Sequence, residues 1–309
     1  MLPTPRFHHI HLNSVDPEKA AAFYAGLFPT TRAGQWGGHT ALFSPNDVMI
    51  LFDKVDRPPP TLPQSAIWHF GWHVPDAQRT TRSFAERADV RPRPLYTGDA
   101  DGGSVAISSD TWPGPEGMLG RTRAQIAEAK AQRLQPVRKG GFAYFSGGPE
   151  DALFEIAGDY PQEHFNHVHM WHDQPLCALL WYQQHLNAPV RQGWSAEGLT
   201  EGNCRVERGP DRSWPALSPE GMFRVPRAGV EFGDVAVIWY MNQGTAPLAP
   251  SRGQMQDHIA LAVADLDAWV DKLTSEGIAF LEPPHPLDDT RAAMIEGPSR
   301  EAIELVEVK

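Results

Sequence analysis

The sequence predicts an α+β fold in which one βαβββ unit recurs four times across two domains. Three observations predict it. The chain has 309 residues, too many for one ordinary core and suited to two. A histidine-led, strand-like run followed by an aspartate returns at nearly constant spacing. Each aspartate opens a helical pattern, and each helical pattern leads into short extended runs broken by Gly and Pro.

The first unit starts near residue 7. His9-Ile-His-Leu-Asn-Ser-Val-Asp16 reads as a strand ending at a helix N-cap, since the Asp16 carboxylate can accept from exposed N–H groups of a first turn. Pro17 follows, where a missing N–H does no harm, and PEKAAAFYAGLF is the helix. TALFSPNDVMILF supplies the next strands, and RPPPTLPQS (57–65) is a spacer. The second unit starts near 67. His69-Phe-Gly-Trp-His-Val-Pro-Asp76 repeats the interval before the helix AQRTTRSFAERA. Its strands SVAISSD and FAYFSGGPEDALFEIAG flank an insertion of roughly 40 residues, at about 96–140, a size often used for lids. The insertion contains TWPGPEGMLG and a polar helix, RTRAQIAEAKAQRLQ.

PQEHF (161–165) separates the halves, and the third unit starts near 165. His167-Val-His-Met-Trp-His-Asp173 is one residue shorter than its counterparts and precedes the helix QPLCALLWYQQHL, with Pro175 in its first turn. An irregular stretch at 208–229 leads to VEFGDVAVIWYM. GTAPLAPSRG (244–253) precedes the fourth unit, near 256. There His258 and Asp265 restore the interval, LDAWVDKLTSEG is the helix, and IAFLEPP and AAMIEGPSREAIELVEV are the strands. The expected domains are 1–160, with modules 7–56 and 66–159, and 161–309, with modules 165–243 and 256–309. The break at PQEHF divides the chain into similar halves, which favours this pairing of consecutive units.

Composition excludes several classes. With 27 basic and 38 acidic residues the formal charge is −11, unsuited to nucleic acid or an anionic membrane. No apolar run approaches the roughly 20 residues of a membrane-spanning helix, and MLPTPRFHH lacks the apolar stretch of a signal peptide. Cys177 and Cys204 give neither a disulfide framework nor a CxxC metal pair, so the expectation is a cytoplasmic protein with reduced thiols. There is no phosphate-cradling glycine loop and no nucleophile elbow.

The chemistry lies in the repeat. Alternate residues of a strand share a face, so His9 and His11, His69 and His73, and His167 and His169 point together in pairs. Glu155 comes six residues after Pro149, and Glu304 six after Pro298. The matching place holds Leu51 in the first unit and Ile238 or Trp239 in the third. Four leading histidines and two closing glutamates make two sets of two imidazoles and one carboxylate. That is the ligand set of many non-heme Fe(II) oxygenases, with positions left open, and Mn²⁺ also accepts it.

A βαβββ unit with His opening its first strand and Glu in its last resembles the vicinal oxygen chelate superfamily. That group contains glyoxalases, extradiol dioxygenases, fosfomycin-resistance transferases and bleomycin-binding proteins. The resemblance covers nearly the whole chain outside the insertion. It implies that two units pack into a cup of curved mixed sheet around a metal, and that four units give the two-domain form seen in extradiol dioxygenases. His9, His69, His167 and His258 match the family's strand-one ligand, and Glu155 and Glu304 its closing carboxylate. Consecutive pairing gives the sets His9, His69, Glu155 and His167, His258, Glu304. Pairing first with last gives His9, His258, Glu304 and His69, His167, Glu155.

For the reaction, the resemblance implies a divalent metal, Fe(II) foremost, with Mn, Zn or Ni as alternatives. Glyoxalase I uses four protein ligands, with a carboxylate in each unit, and Leu51 argues against that. The extradiol signature places Tyr four residues before the last-strand Pro. Here Met294 and Phe145 stand there, and Tyr144 is expected on the opposite face. His11, His169, Tyr240 and His285 are the acid–base candidates, with His73 and His172 behind them, because imidazole titrates near neutrality. Trp68, Trp72, Trp171, Trp239 and Tyr240 are divided between cavity wall and core. The leading expectation is dioxygenase-like oxidation of a small, aromatic substrate held through two oxygens. A lyase or isomerase without O₂ is the second, and a non-enzymatic small-molecule binder the third. A homo-oligomer is left open.

Overall fold

A computed structural model of the chain describes residues 2–93, 95–98, 103–105, 142–206, 227–242 and 246–308. The expected loop TWPGPEGMLG, the expected helix RTRAQIAEAKAQRLQ and most of the 208–229 stretch lie outside the described residues.

The first unit supplies β1 (Arg6–Ser14), α1 (Pro17–Leu27), β2 (Arg32–Trp36), β3 (His39–Phe43) and β4 (Met49–Lys54). The second supplies β5 (Ile67–His73), α2 (Ala77–Ala85), β6 (Val90–Arg93), β7 (Leu95–Gly98), β8 (Gly103–Val105), β9 (Phe142–Gly147) and β10 (Ala152–Ala157). The third supplies β11 (His164–His172), α3 (Pro175–Leu186), β12 (Ala228–Phe232) and β13 (Val235–Met241). The fourth supplies β14 (Gln256–Val263), α4 (Leu266–Ser275), β15 (Phe280–Leu287), β16 (Thr290–Glu296) and β17 (Ala302–Glu307). Three helices start as expected. Asp16, Asp76 and Asp265 accept from the N–H groups of Lys19, Arg79 and Ala268 at 3.2, 3.0 and 2.9 Å. The helix α3 departs from the pattern. Its N-cap is Gln174, without a side-chain cap. Asp173 instead accepts from the Asn242 side chain at 2.9 Å.

The α+β architecture is present as two curved mixed sheets, but the sheets do not follow the halves of the chain. One has the order β15-β16-β17-β14-β1-β4-β3-β2 and joins the first unit to the fourth. The other has the order β12-β13-β11-β5-β10-β9-β6 and joins the second to the third. At each join the opening strands pair antiparallel, β1 with β14 and β5 with β11. The expected pairing of consecutive units, with its boundary at 160/161, is therefore corrected. The connectors give the physical reason. The short break at PQEHF links β10 to β11 within one sheet. The longer spacers both cross between sheets, and they cross side by side. Ser65 bridges Ala249, Ala249 N donates to Gln64 O at 2.9 Å, and Met255 N donates to Pro60 O at 3.1 Å. Asn13 then ties β1 to this crossing, its amide donating to Gln254 O at 2.8 Å.

The sheets share one apolar core. Tyr24 of α1 touches Phe52 in one sheet and Phe70, Trp72 and Phe154 in the other. Phe7 of β1 stacks on Phe165 of β11 between the two sheets at 5.7 Å. Trp72 and Trp239 are fully buried and belong to this core. Burying such large rings offsets the entropy of ordering the chain. Cys177 and Cys204 form a disulfide, which corrects the expectation of free thiols and fastens the segment after α3 back onto that helix. No described helix is long and apolar enough to cross a membrane.

Candidate metal centres

Each opening strand carries one extra residue just before its leading histidine. The register skips His8 between Phe7 and His9, and Asp257 between Gln256 and His258. It skips Asn166 between Phe165 and His167, and Trp68 between Ile67 and His69. These are β-bulges, which re-aim a side chain locally. Because of the bulge, Phe7 and Phe165 enter the core while the next two residues face the cup. The bulged residue then stands beside the imidazole it precedes. Asn166 Oδ1 is 2.8 Å from His167 Nδ1, and Asp257 Oδ1 is 2.7 Å from His258 Nδ1. Both can accept the Nδ1 proton, which leaves Nε2 with its lone pair turned inward. His8 Nδ1 lies 2.8 Å from His9 Nδ1, and the Trp68 ring meets His69 edge-on at 4.3 Å.

The β5/β11 join gathers His69, His167, His169 and Glu155. Glu155 Oε2 is 3.0 Å from His69 Nε2 and 3.6 Å from both His167 Nε2 and His169 Nδ1. One ligand atom from each of the four residues lies within 4.8 Å of the others. Bonds of about 2.1 Å put donors on opposite sides of a cation about 4 Å apart, so the set is of the right size. All four side chains are buried. Gly71 makes the approach feasible. A Cβ there would stand 2.2 Å from His167 Cε1. His167 Nε2 and His169 Nδ1, both 3.6 Å from Glu155 Oε2, are buried without a hydrogen-bond partner. Unpartnered buried nitrogens are costly, and a cation would satisfy them. The residues present therefore fit a divalent metal.

The β1/β14 join repeats the arrangement. His9, His11 and His258 form the corresponding group, and Glu304 Oε2 is 3.4 Å from His9 Nε2 and 3.7 Å from His258 Nε2. His9 and His258 each bury an unpartnered Nε2. The donor groups brought together are thus those of the first-with-last alternative, each joined by a further histidine, His11 or His169, expected earlier as an acid–base group. A second cluster adjoins this centre. Asp53 accepts from His11 Nε2 at 3.1 Å and His39 Nδ1 at 2.5 Å.

Charge differs between the centres. Burial holds His69 down at about 4 against the pull of Glu155. Burial, then His167 and His69, holds His169 well below its usual range. Burial also opposes charge on Glu155, but the surrounding imidazoles outweigh it and the carboxyl lies well below the ordinary range. Glu155 is thus held as a carboxylate, and His69 and His169 as neutral imidazoles, the forms that bind metal. At the other centre burial opposes charge on His258, yet hydrogen bonds to Asp257 and Glu304 lift it to about 9. Burial lowers His9 and His11.

Around Glu155 lies a cavity of about 150 Å³. Tyr144 and Tyr240 are in its wall with His73, Arg191 and Arg227. Tyr144 is the direct cross-strand partner of Glu155, so it shares that face, which corrects the expectation that it points away. Its counterpart across from Glu304 is Met294. Tyr240 lies 5.2 Å from the His169 ring, and burial lifts its hydroxyl to about 12. His285 does not reach either centre. It is part-exposed on β15 with Nδ1 against Pro283 O at 3.0 Å, so its expected acid–base role is not supported. His172 accepts from Gln174 N at 2.6 Å and serves the helix start. A larger cavity, about 390 Å³, lies beyond Trp68 and Trp171, but no imidazole lines it.

Sequence reasoning passed over Arg191, Arg227, the bulge residues His8, Asn166 and Asp257, and the pair His39 and Asp53, and it turned Tyr144 away from the site. Asp53 had a readable signal, because it lies two residues after Leu51 on the same strand face.

Residues 164–305 match the model of the Glyoxalase/Bleomycin resistance protein/Dioxygenase superfamily. The matched stretch begins in β11 of one sheet and ends in β17 of the other, so it takes in one opening strand from each join. Glyoxalase I from Zea mays shares the fold at 14% identity and a TM-score of 0.57, covering 98% of this chain and 92% of that one. A proposed dioxygenase from Bacillus subtilis does so at 12% identity and a TM-score of 0.52, covering 99% and 86%. No curated protein matches the chain in sequence.

Proposed function

We propose that the protein is a metal-dependent enzyme that handles a small substrate through two of its oxygens, in an extradiol-dioxygenase-like oxidation at the β5/β11 centre. One observation carries this reading: Glu155 and three imidazoles converge on a cavity that two tyrosine side chains also face. A divalent cation held there, Fe(II) foremost and Mn, Zn or Ni as alternatives, would supply Lewis acidity and a template for two oxygens, and Fe(II) would add dioxygen chemistry. His69, His167 and Glu155 are the holding residues. His169, kept neutral by burial, has a lone pair with which to take a proton from a substrate hydroxyl. Tyr144 and Tyr240, both kept protonated by burial, donate hydrogen bonds to substrate oxygens. Trp68, stacked on Trp171 at 4.2 Å and near Tyr144 at 5.8 Å, shields one side from water.

A second reading is favoured by the fourth donor. With His169 binding rather than moving protons, the centre has the four protein ligands of a glyoxalase-type site, suited to lyase or isomerase chemistry without O₂. Turnover of vicinal diols and hydroxycarbonyl compounds, compared in air and under argon, separates the two. Oxygen uptake equal to substrate consumed supports oxidation. Undiminished anaerobic turnover supports the second reading. Tight binding by metal-stripped protein without turnover would leave only a sequestering role.

A further inference from the structure

Two arginines stand in the wall of the Glu155 cavity, and the sequence places them far apart, at 191 and 227. The fold fixes both to one edge. Arg191 N donates to Gly229 O at 2.9 Å, Val190 bridges Val230, and Glu231 N returns to Pro189 O at 3.1 Å. Arg227 directly precedes β12, the strand so paired. Between them lies Trp194, whose N–H donates to Arg191 O at 3.0 Å. Its indole passes close over Gly229, where a Cβ would come within 3.3 Å of the ring. The guanidinium carbons of Arg191 and Arg227 lie 5.1 and 4.8 Å from the centre of this ring. Cation–π contact of this kind holds a guanidinium in place without neutralising it.

Among the described residues these charges are weakly answered. Arg191 meets Glu231 only through Nε, at 4.0 Å, the outer limit of an ion pair. Arg227 is hydrogen-bonded to the neutral Tyr240 hydroxyl. Their field reaches the centre. Arg191 opposes protonation of His73 and His169, and both arginines favour ionisation of Tyr240. A chain of net charge −11 has thus turned two cations into the wall of a cavity whose one described carboxylate, Glu155, is engaged by imidazoles.

We infer that Arg191 and Arg227 form an oxyanion subsite, and that the substrate carries a carboxylate in addition to the two oxygens presented to the centre. This rests on the reading of the Glu155 cavity as the substrate site. Planar guanidinium forks suit a carboxylate, and two of them on one indole supply parallel donors at a fixed spacing. A purely apolar diol would bring neither guanidinium a counter-charge. The subsite would therefore select acids over neutral analogues, and would do so with the metal absent.

Benzoate and benzamide, which lack a pair of oxygens on neighbouring carbons, test the subsite alone by calorimetry on metal-free protein, where the carboxylate has no metal to bind. The expected result is benzoate at least about tenfold tighter than benzamide, a difference of about 1.4 kcal/mol. Arg191→Gln and Arg227→Gln should each reduce that preference, and Arg227→Lys should restore part of it. A structural role for the arginines would instead weaken both probes equally, or neither. Equal affinity for the two probes in unaltered protein overturns the inference. Inorganic phosphate competing better than benzoate would assign the subsite to a phosphoryl group and overturn the carboxylate assignment. Catechol binding to Co(II)-loaded protein, followed by absorbance, tests the metal reading separately, because catechol has no carboxylate. Its failure beside a benzoate preference would sink the metal reading and leave the anion subsite standing.

Discussion

Opposite Glu155 on β9 stands Tyr144, and on the other flank of that centre, on β13, stands Tyr240. Opposite Glu304 on β16 stands Met294, and the place of Tyr240 is taken by Asp53 on β4. The histidines and glutamates are otherwise matched strand for strand. The fold thus builds the donor set twice, and the neighbours decide what each copy can do. At the β5/β11 centre two protonated hydroxyls and two guanidiniums face a cavity. At the β1/β14 centre Asp53 is spent on His11 and His39, Trp36 packs against His8 and His9, and apolar Met49, Leu51 and Ala41 pack alongside. The first arrangement suits turnover, and the second suits holding a cation. Donor geometry alone does not mark a reactive site. Proton donors and room for a ligand do.

The strongest break in the comparison is removal of one carboxylate. Glu155→Gln should lose one metal equivalent and nearly all turnover, more than the roughly 10–100-fold typical of residues that only orient ligands. Glu304→Gln should lose the other equivalent and keep turnover. Metal analysis beside steady-state rates checks both, and equal loss of activity in the two variants would erase the functional distinction between the centres. Next in size is Gly71→Ala. Its Cβ would overlap His167, so metal should leave the β5/β11 centre alone. The mirrored position already holds Ala260 opposite His9, and Ala260→Gly should leave both metals in place.

Tyr144→Phe should lower kcat by about 100-fold with metal content unchanged, the scale of one positioned proton donor. Met294→Leu should change neither. The smallest effect concerns the bulge residues. Asp257→Asn should weaken metal at the β1/β14 centre by about 10-fold, near the low end for outer partners, because a neutral acceptor still holds Nδ1. Competition with a chelator measures it, and an unchanged affinity would deny Asp257 that orienting role.

The repeat, the helix starts and the donor residues were legible because they rest on local chemistry at fixed spacing. The Asp caps act within one turn, and the His and Glu positions recur in register. What joins to what was not legible. Every unit ends in the same kind of open edge, and the sequence does not say which edge finds which. The connector lengths held a clue, since only the long spacers at 57–65 and 244–253 could cross between sheets. Tyr144 was misplaced because positions were counted from Pro149 as from Pro298, whereas the hairpin between Tyr144 and Glu155 is one residue longer than that between Met294 and Glu304. A bulge residue such as Asn166 looks like any other strand residue. Arg191 and Arg227 lie outside the regular strands and become neighbours only once β12 is paired.

Diffraction from a crystal grown with Fe(II) or Mn(II), recorded on both sides of the metal edge, tests the cross-paired centres directly. An anomalous peak is expected within about 2.3 Å of nitrogens from His69 and His167 and an oxygen of Glu155, with a second peak among His9, His258 and Glu304. A map with neither peak, or with metal bridging His9 to His69, would contradict the centres described.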